Sequence, residues 1–143
     1  MNESNAPAGG DTGAMRDSTN AEQVKFSNQY YESIRNRKSK SDIAAIAAST
    51  GFALDQIAKI RTHLFEEKHD LGDGRIGRFD SDWRIALAWQ RLEQGMGTDA
   101  DILLLNHELY ELTLMRDLGY NYFEAHIEAS KKYPWAEEIK KSE

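Results

Sequence analysis

TDADILLLNHELYELTLMRDLG, residues 98–119, decides how this chain folds. Its apolar residues Ile102, Leu103, Leu105, Leu109, Leu112 and Met115 recur at the three- and four-residue steps of a helix. Thr98 is placed to accept from the first-turn amides, and Asp101 three residues on makes a capping box with a shorter acid. Gly119 ends the helix, because glycine takes the left-handed conformation without a Cβ penalty.

Further helices lie on both sides. Downstream, Asn121 caps one that runs to about Tyr133, with Glu124 in the capping-box position and Pro134 blocking continuation. A short amphipathic tail starts at Trp135. Upstream, Asp80 or Ser81 caps a helix through Glu93 that buries Ile85, Ala86, Ala88, Trp89 and Leu92. Leu54 to Lys68 forms another, and Ser41 caps one that stops at Thr50-Gly51. Val24, Phe26, Tyr30, Tyr31 and Ile34 make a further helical stripe, followed by a basic cluster read as a solvated helix end. Gly72, Gly74 and Gly77 favour a tight turn or short hairpin between Leu71 and Phe79. The expected fold is all-α: a compact bundle of five or six helices with one glycine-rich loop or short hairpin.

The 143 residues fit one domain. Residues 1–20 contain no Ile, Leu, Val, Phe, Tyr or Trp and read as a disordered tail or linker. Residues 21–143 read as a single domain, best defined over 41–135. The N-terminus lacks a basic patch followed by an apolar run, so no signal peptide and no membrane insertion are expected. Without cysteine there is no thiolate zinc site, and any metal must be held by histidine and carboxylate. A net charge of −6 argues against broad attraction to nucleic acid but leaves room for a local basic groove.

The four histidines carry the chemistry. His63 and His69 bracket the end of one helix, and His107 lies in Asn106-His107-Glu108-Leu109-Tyr110-Glu111. His126 lies in Glu124-Ala125-His126-Ile127-Glu128. His107 and Glu111 are four apart and share a helix face, whereas Glu108 points about 100° away from His107. Each has an ordinary explanation: a surface pair for His107 and Glu111, a helix-end imidazolium for His69, a buried hydrogen-bonded ring for His126. Together with Arg75 and Arg78 in the glycine-rich loop, whose guanidinium forks suit phosphate, they point to a site. His63, His107, Glu111 and His126 are the expected catalytic set, with Arg75, Arg78 and His69 binding substrate. Two imidazoles can act as base and acid in phosphodiester cleavage while arginine stabilises the developing charge. Alternatively His107 and Glu111, with His126 or His63, hold a divalent metal such as zinc and leave a position for water. The run from His107 to Glu111 has Glu where the zinc-protease motif has its second His, so no protease is inferred.

Ile46-Ala47, Gly51, Ile57 and Ile60 also fit a helix-turn-helix. Its second helix opens on Ala53-Leu54-Asp55-Gln56, with Lys59 and Arg61 later, so the same pattern also reads as a plain helical hairpin.

The motifs run in a recognisable order. Asp42-Ile43 and Thr50-Gly51 lead to Ile60-Arg61-Thr62-His63-Leu64-Phe65 and His69. Arg78-Phe79-Asp80, Ala88-Trp89-Gln90-Arg91-Leu92 and Asp101-Ile102 follow. Then come Leu105-Asn106-His107-Glu108, Glu111, Tyr122-Phe123-Glu124-Ala125-His126 and Tyr133-Pro134-Trp135. This series resembles a domain at the C-termini of bacterial polymorphic toxins and of some phage head-morphogenesis-like proteins, over roughly 41–135. The resemblance implies a toxin tip released from a larger carrier, delivered into a target cell's cytoplasm and neutralised by an immunity protein. It implies motif positions at His63, His69, Arg78, His107, Glu108, Glu111 and His126. Many such tips are nucleases, so it also implies a nucleic acid substrate. A helix-turn-helix or phage adaptor module without catalysis, or a structural piece of a particle, is the alternative.

Overall fold

A computed structural model describes residues 20–141, and in them seven α-helices follow one another. They are α1 (Ala21–Asn36), α2 (Ser41–Thr50), α3 (Leu54–Arg61), α4 (Trp83–Glu93), α5 (Asp99–Leu118), α6 (Tyr122–Lys132) and α7 (Trp135–Lys141). A π-helical turn, Thr62–Glu66, continues α3, and two short strands, β1 (His69–Asp70) and β2 (Ile76–Gly77), pair antiparallel. The fold is therefore all-α apart from one hairpin, with α1 and the short α7 both formed. Of the expected linker, residues 1–19 lie outside the described residues, and Asn20 caps α1 by accepting from the Gln23 amide.

The caps explain where the site-bearing helices begin. Thr98 and Asp101 exchange side-chain-to-backbone hydrogen bonds at 3.1 and 3.0 Å at the start of α5. Asn121 and Glu124 do the same for α6 at 2.8 and 3.2 Å. Gly119, at φ 73°, closes α5, and only Gly119, Tyr120 and Asn121 separate the two helices. The caps of α2 and α4 differ from expectation. Ser41 is the first residue of α2 rather than its cap, and Asp82 caps α4 by accepting from the amides of Arg84 and Ile85.

A buried polar knot ties the N-terminal helices together. Asp42 on α2 accepts from Arg61 Nε at 2.8 Å and from Trp89 Nε1 at 3.1 Å. Arg61 also donates to the Ile34 carbonyl on α1 and to Glu66. Burial pushes the Asp42 carboxyl up, but the Arg61 and Trp89 hydrogen bonds outweigh it and hold it below its ordinary range. Arg61 is 1% exposed, so the helix-turn-helix reading loses one of its two cations, and exposed Lys59 lies 3.9 Å from Asp55. The basic cluster at the end of α1 is likewise only partly solvated: Arg35 donates to the Phe65 carbonyl and Arg37 grips Glu93 through both terminal nitrogens.

Ile34, Ile46, Ile57, Ile60, Phe65, Trp89, Leu104 and Leu105 fill the main core. Truncating any one of them to alanine removes packing worth about 2–5 kcal/mol. A smaller cluster of Leu71, Phe79 and Tyr122, joined by Met115 and Phe123, packs under the hairpin. Gly72 is required there twice over. Its φ is 92°, and a Cβ on it would come within 2.9 Å of the Phe123 ring.

Candidate metal centre

Glu111 sits on the buried face of α5, 1% exposed, and both its oxygens are used. His63 Nε2, from the π-helical turn, donates to Oε1 at 2.7 Å. His126 Nδ1, from α6, donates to Oε2 at 2.9 Å. His107 Nε2, one turn back on α5, lies 3.5 Å from Oε2. Histidines from three separate segments thus converge on one carboxylate. The four residues of the expected catalytic set are together, and so is the expected metal set, His107, Glu111 and His126, whose ligand atoms lie within 4.8 Å of one another. His126 is the most open of these, with its side chain 26% exposed, and it marks the side from which solvent reaches the cluster.

Glu108 belongs to the same group. It is buried, with Oε1 3.6 Å from His63 Nε2 and Oε2 3.8 Å from His107 Nε2. Its angle to His107 is wide, but it is three residues from Glu111, and i,i+3 residues also share a helix face. That spacing was the available signal.

The His107 ring is oriented by its other nitrogen. Nδ1 lies 3.1 Å from the Tyr133 carbonyl. A carbonyl only accepts, so Nδ1 carries the proton and Nε2 is turned toward Glu111 and Glu108. In the neutral ring this puts a nitrogen lone pair opposite two carboxylates, and only a proton or a metal cation between them relieves the repulsion. A backbone carbonyl holding the remote N–H of a histidine is also the usual support of a metal ligand.

The proton affinities follow from this geometry. Burial alone would lower the His107 pKa, but the Glu111 hydrogen bond and the charges of Glu108 and Glu111 lift it to about 9. Burial, with Glu111 repelling it, pushes Glu108 up to about 7. Burial also pushes Glu111 up, but hydrogen bonds from His107, His126 and His63 outweigh it and hold that carboxyl well below its usual range. The cluster concentrates negative charge where water is scarce and compensates for it with protons. These buried groups can hold a metal ion.

His69, expected to touch substrate, is 5% exposed and donates through Nε2 to the His63 carbonyl at 2.9 Å. It stacks on Phe79 at 4.2 Å and 13°, and burial lowers its pKa. His69 therefore fixes the turn that carries His63. π-Helical turns recur at functional sites because they redirect side chains and carbonyls within a helix. Phe79 and Tyr122 wall the cluster, Phe79 meeting His63 edge-on and Tyr122 stacking on His126. Arg75 donates to the Leu71 carbonyl and Arg78 to the Glu66 carbonyl. Arg78 also lines an open cleft with Arg35, Asn28 and Ser81, and Phe79 is a wall common to that cleft and the histidines. Glu67 approaches His63 and His69 but accepts from Arg116 at 2.9 Å.

Among the described residues, no helix is long and apolar enough to cross a membrane. Comparisons with family models, curated proteins and solved structures find no match.

Proposed function

We propose that this chain is a divalent-metal-dependent hydrolase of phosphodiester bonds in nucleic acid, and that it serves as the effector tip of a bacterial polymorphic toxin. The observation that carries the metal reading is the focus on Glu111: one buried carboxylate, three imidazoles, and a His107 tautomer that turns Nε2 toward it. His107, Glu111 and His126 are the ligands, and an N/O set of this kind suits zinc. A divalent cation there supplies a Lewis acid and an acidified water. Phe79 and Tyr122 shield the cluster, and His126, the most exposed of the ligands, is the side on which the phosphate approaches. The metal-dependent route is preferred to the metal-free one because the loop arginines direct hydrogen bonds to backbone carbonyls.

The substrate class, the delivery into a target cell and the immunity partner rest on the sequence resemblance. The test is expression in a bacterial host without an immunity protein, paired with RNA and DNA cleavage by the purified chain. The expected result is growth arrest that His126→Ala relieves, and cleavage that a chelator stops and added metal restores. Unchanged cleavage after chelation refutes the metal reading. Harmless expression, with no cleavage of either nucleic acid, refutes the effector reading.

A further inference from the structure

We infer that the centre is built for two divalent cations, with Glu111 bridging them; this rests on the metal-centre reading above. The argument starts from how Glu111 divides its oxygens. Oε1 faces His63 at 2.7 Å, while Oε2 faces His126 at 2.9 Å and His107 at 3.5 Å. Glu108 repeats the division, with Oε1 3.6 Å from His63 and Oε2 3.8 Å from His107. Both carboxylates therefore span the same gap in the same sense.

Two ligand sets result. One is His107, Glu111 and His126, and the other is His63, Glu108 and Glu111. In each, the ligand atoms lie within 4.8 Å of one another, and the sets share Glu111 alone. A single ion held by His107, His126 and Oε2 of Glu111 would use neither Glu108 nor His63 as a ligand, and would leave His63 only its hydrogen bond to Oε1. A carboxylate offering separate oxygens to separate nitrogen donors is arranged as a bridge, and paired hydrolytic cations typically lie about 3.5–4 Å apart. A third grouping, His63, Glu67 and His69, is already committed: Arg116 holds Glu67, and His69 Nε2 is bound to the His63 carbonyl.

Charge supports the pair. Two carboxylates neutralise one dication, so a second leaves net positive charge at the bridge. That surplus attracts an anionic phosphoryl oxygen, a role left open where Arg75 and Arg78 donate to the backbone. The ligand class is thus a phosphate ester bound across two metals.

The full chain, stripped with a chelator, is titrated with Co(II) and desalted, and bound cobalt is counted by elemental analysis. A parallel sample loaded with Mn(II) is examined by electron paramagnetic resonance. Two cobalt ions per wild-type chain are expected, with one in Glu108→Gln and one in His126→Ala. The manganese spectrum should show magnetic coupling in the wild type. One cobalt in the wild type with an isolated manganese signal overturns the pair and leaves the single-metal reading standing. Two ions that persist in both variants, uncoupled, also overturn it. No bound ion overturns both readings. The wild-type spectrum needs no substitution, so a variant that misfolds does not blunt the test.

Discussion

His107 and Tyr133 are joined by a hydrogen bond from the ring Nδ1 to the backbone carbonyl, 3.1 Å long, across the packed pair α5 and α6. That single contact sets which nitrogen of His107 faces Glu111, and it ties the orientation of the ring to the end of α6. The α6 chain must turn there, because Pro134 follows and cannot continue the helix. The chemistry of the centre thus depends on a helix terminus that carries no functional side chain.

Glu111→Gln should remove the charge shared by three imidazoles and turn one of its two acceptor oxygens into an NH2 donor, while keeping the shape of the side chain. Removing an outer partner of a metal ligand typically lowers affinity about 10–100-fold. Loss of the central carboxylate should exceed that, with cleavage falling by more than about a hundredfold. Calorimetric titration with Co(II) and initial-rate assays check both.

His69→Ala should weaken metal binding by about 10–100-fold without touching the ligands, because it frees the His63 carbonyl and the turn that carries the ring. Circular dichroism should show retained helix. Affinity equal to that of the wild type would mean that the π-helical turn holds His63 in place unaided.

The metal-free protein should lose stability as pH rises. His107 has its pKa raised from 6.5 to about 9. Its contribution is complete below 6.5 and is lost as pH climbs through about 9. Glu108, raised from 4.5 to about 7, acts in the same direction, and its contribution is lost through about 7. Glu111 is lowered, so its contribution is present above 4.5 and lost on acidification below that value. The thermal midpoint should peak in the mildly acidic range and decline toward pH 9, and added Co(II) should flatten the decline. Melting curves across this range, with and without the metal, give the answer.

Arg61→Ala should destabilise the fold by about 3–5 kcal/mol, the usual cost of leaving a buried partner such as Asp42 uncompensated. Urea denaturation measures it. A helix-turn-helix DNA reader would instead keep its stability and lose duplex affinity.

The sequence foreshadowed most of the skeleton because capping and periodicity are local. Thr98 with Asp101, Gly119, and Asn121 with Glu124 each act within one turn, and the three segments that carry the centre are legible in the sequence. What depends on tertiary partners is less legible. Ser41 resembles a cap, but the value of α2 lies in Asp42, which answers an arginine nineteen residues away. Arg78, expected to bind substrate, lines the open cleft and donates through Nε to the Glu66 carbonyl, a partner that nothing nearby in the chain announces. Its angle to His107 hides Glu108, which only the resemblance marks, because its neighbour in space is also His63, which arrives from another segment. The π-helical turn has no glycine or proline to reveal it.

His63 comes from the turn after α3, Glu111 from α5 and His126 from α6, so an unfolded copy of this chain has these groups scattered and no centre at all. Any route that threads the polypeptide through a narrow channel would therefore carry the chain without its centre assembled. In the effector proposed above, the centre would form only once the chain has refolded.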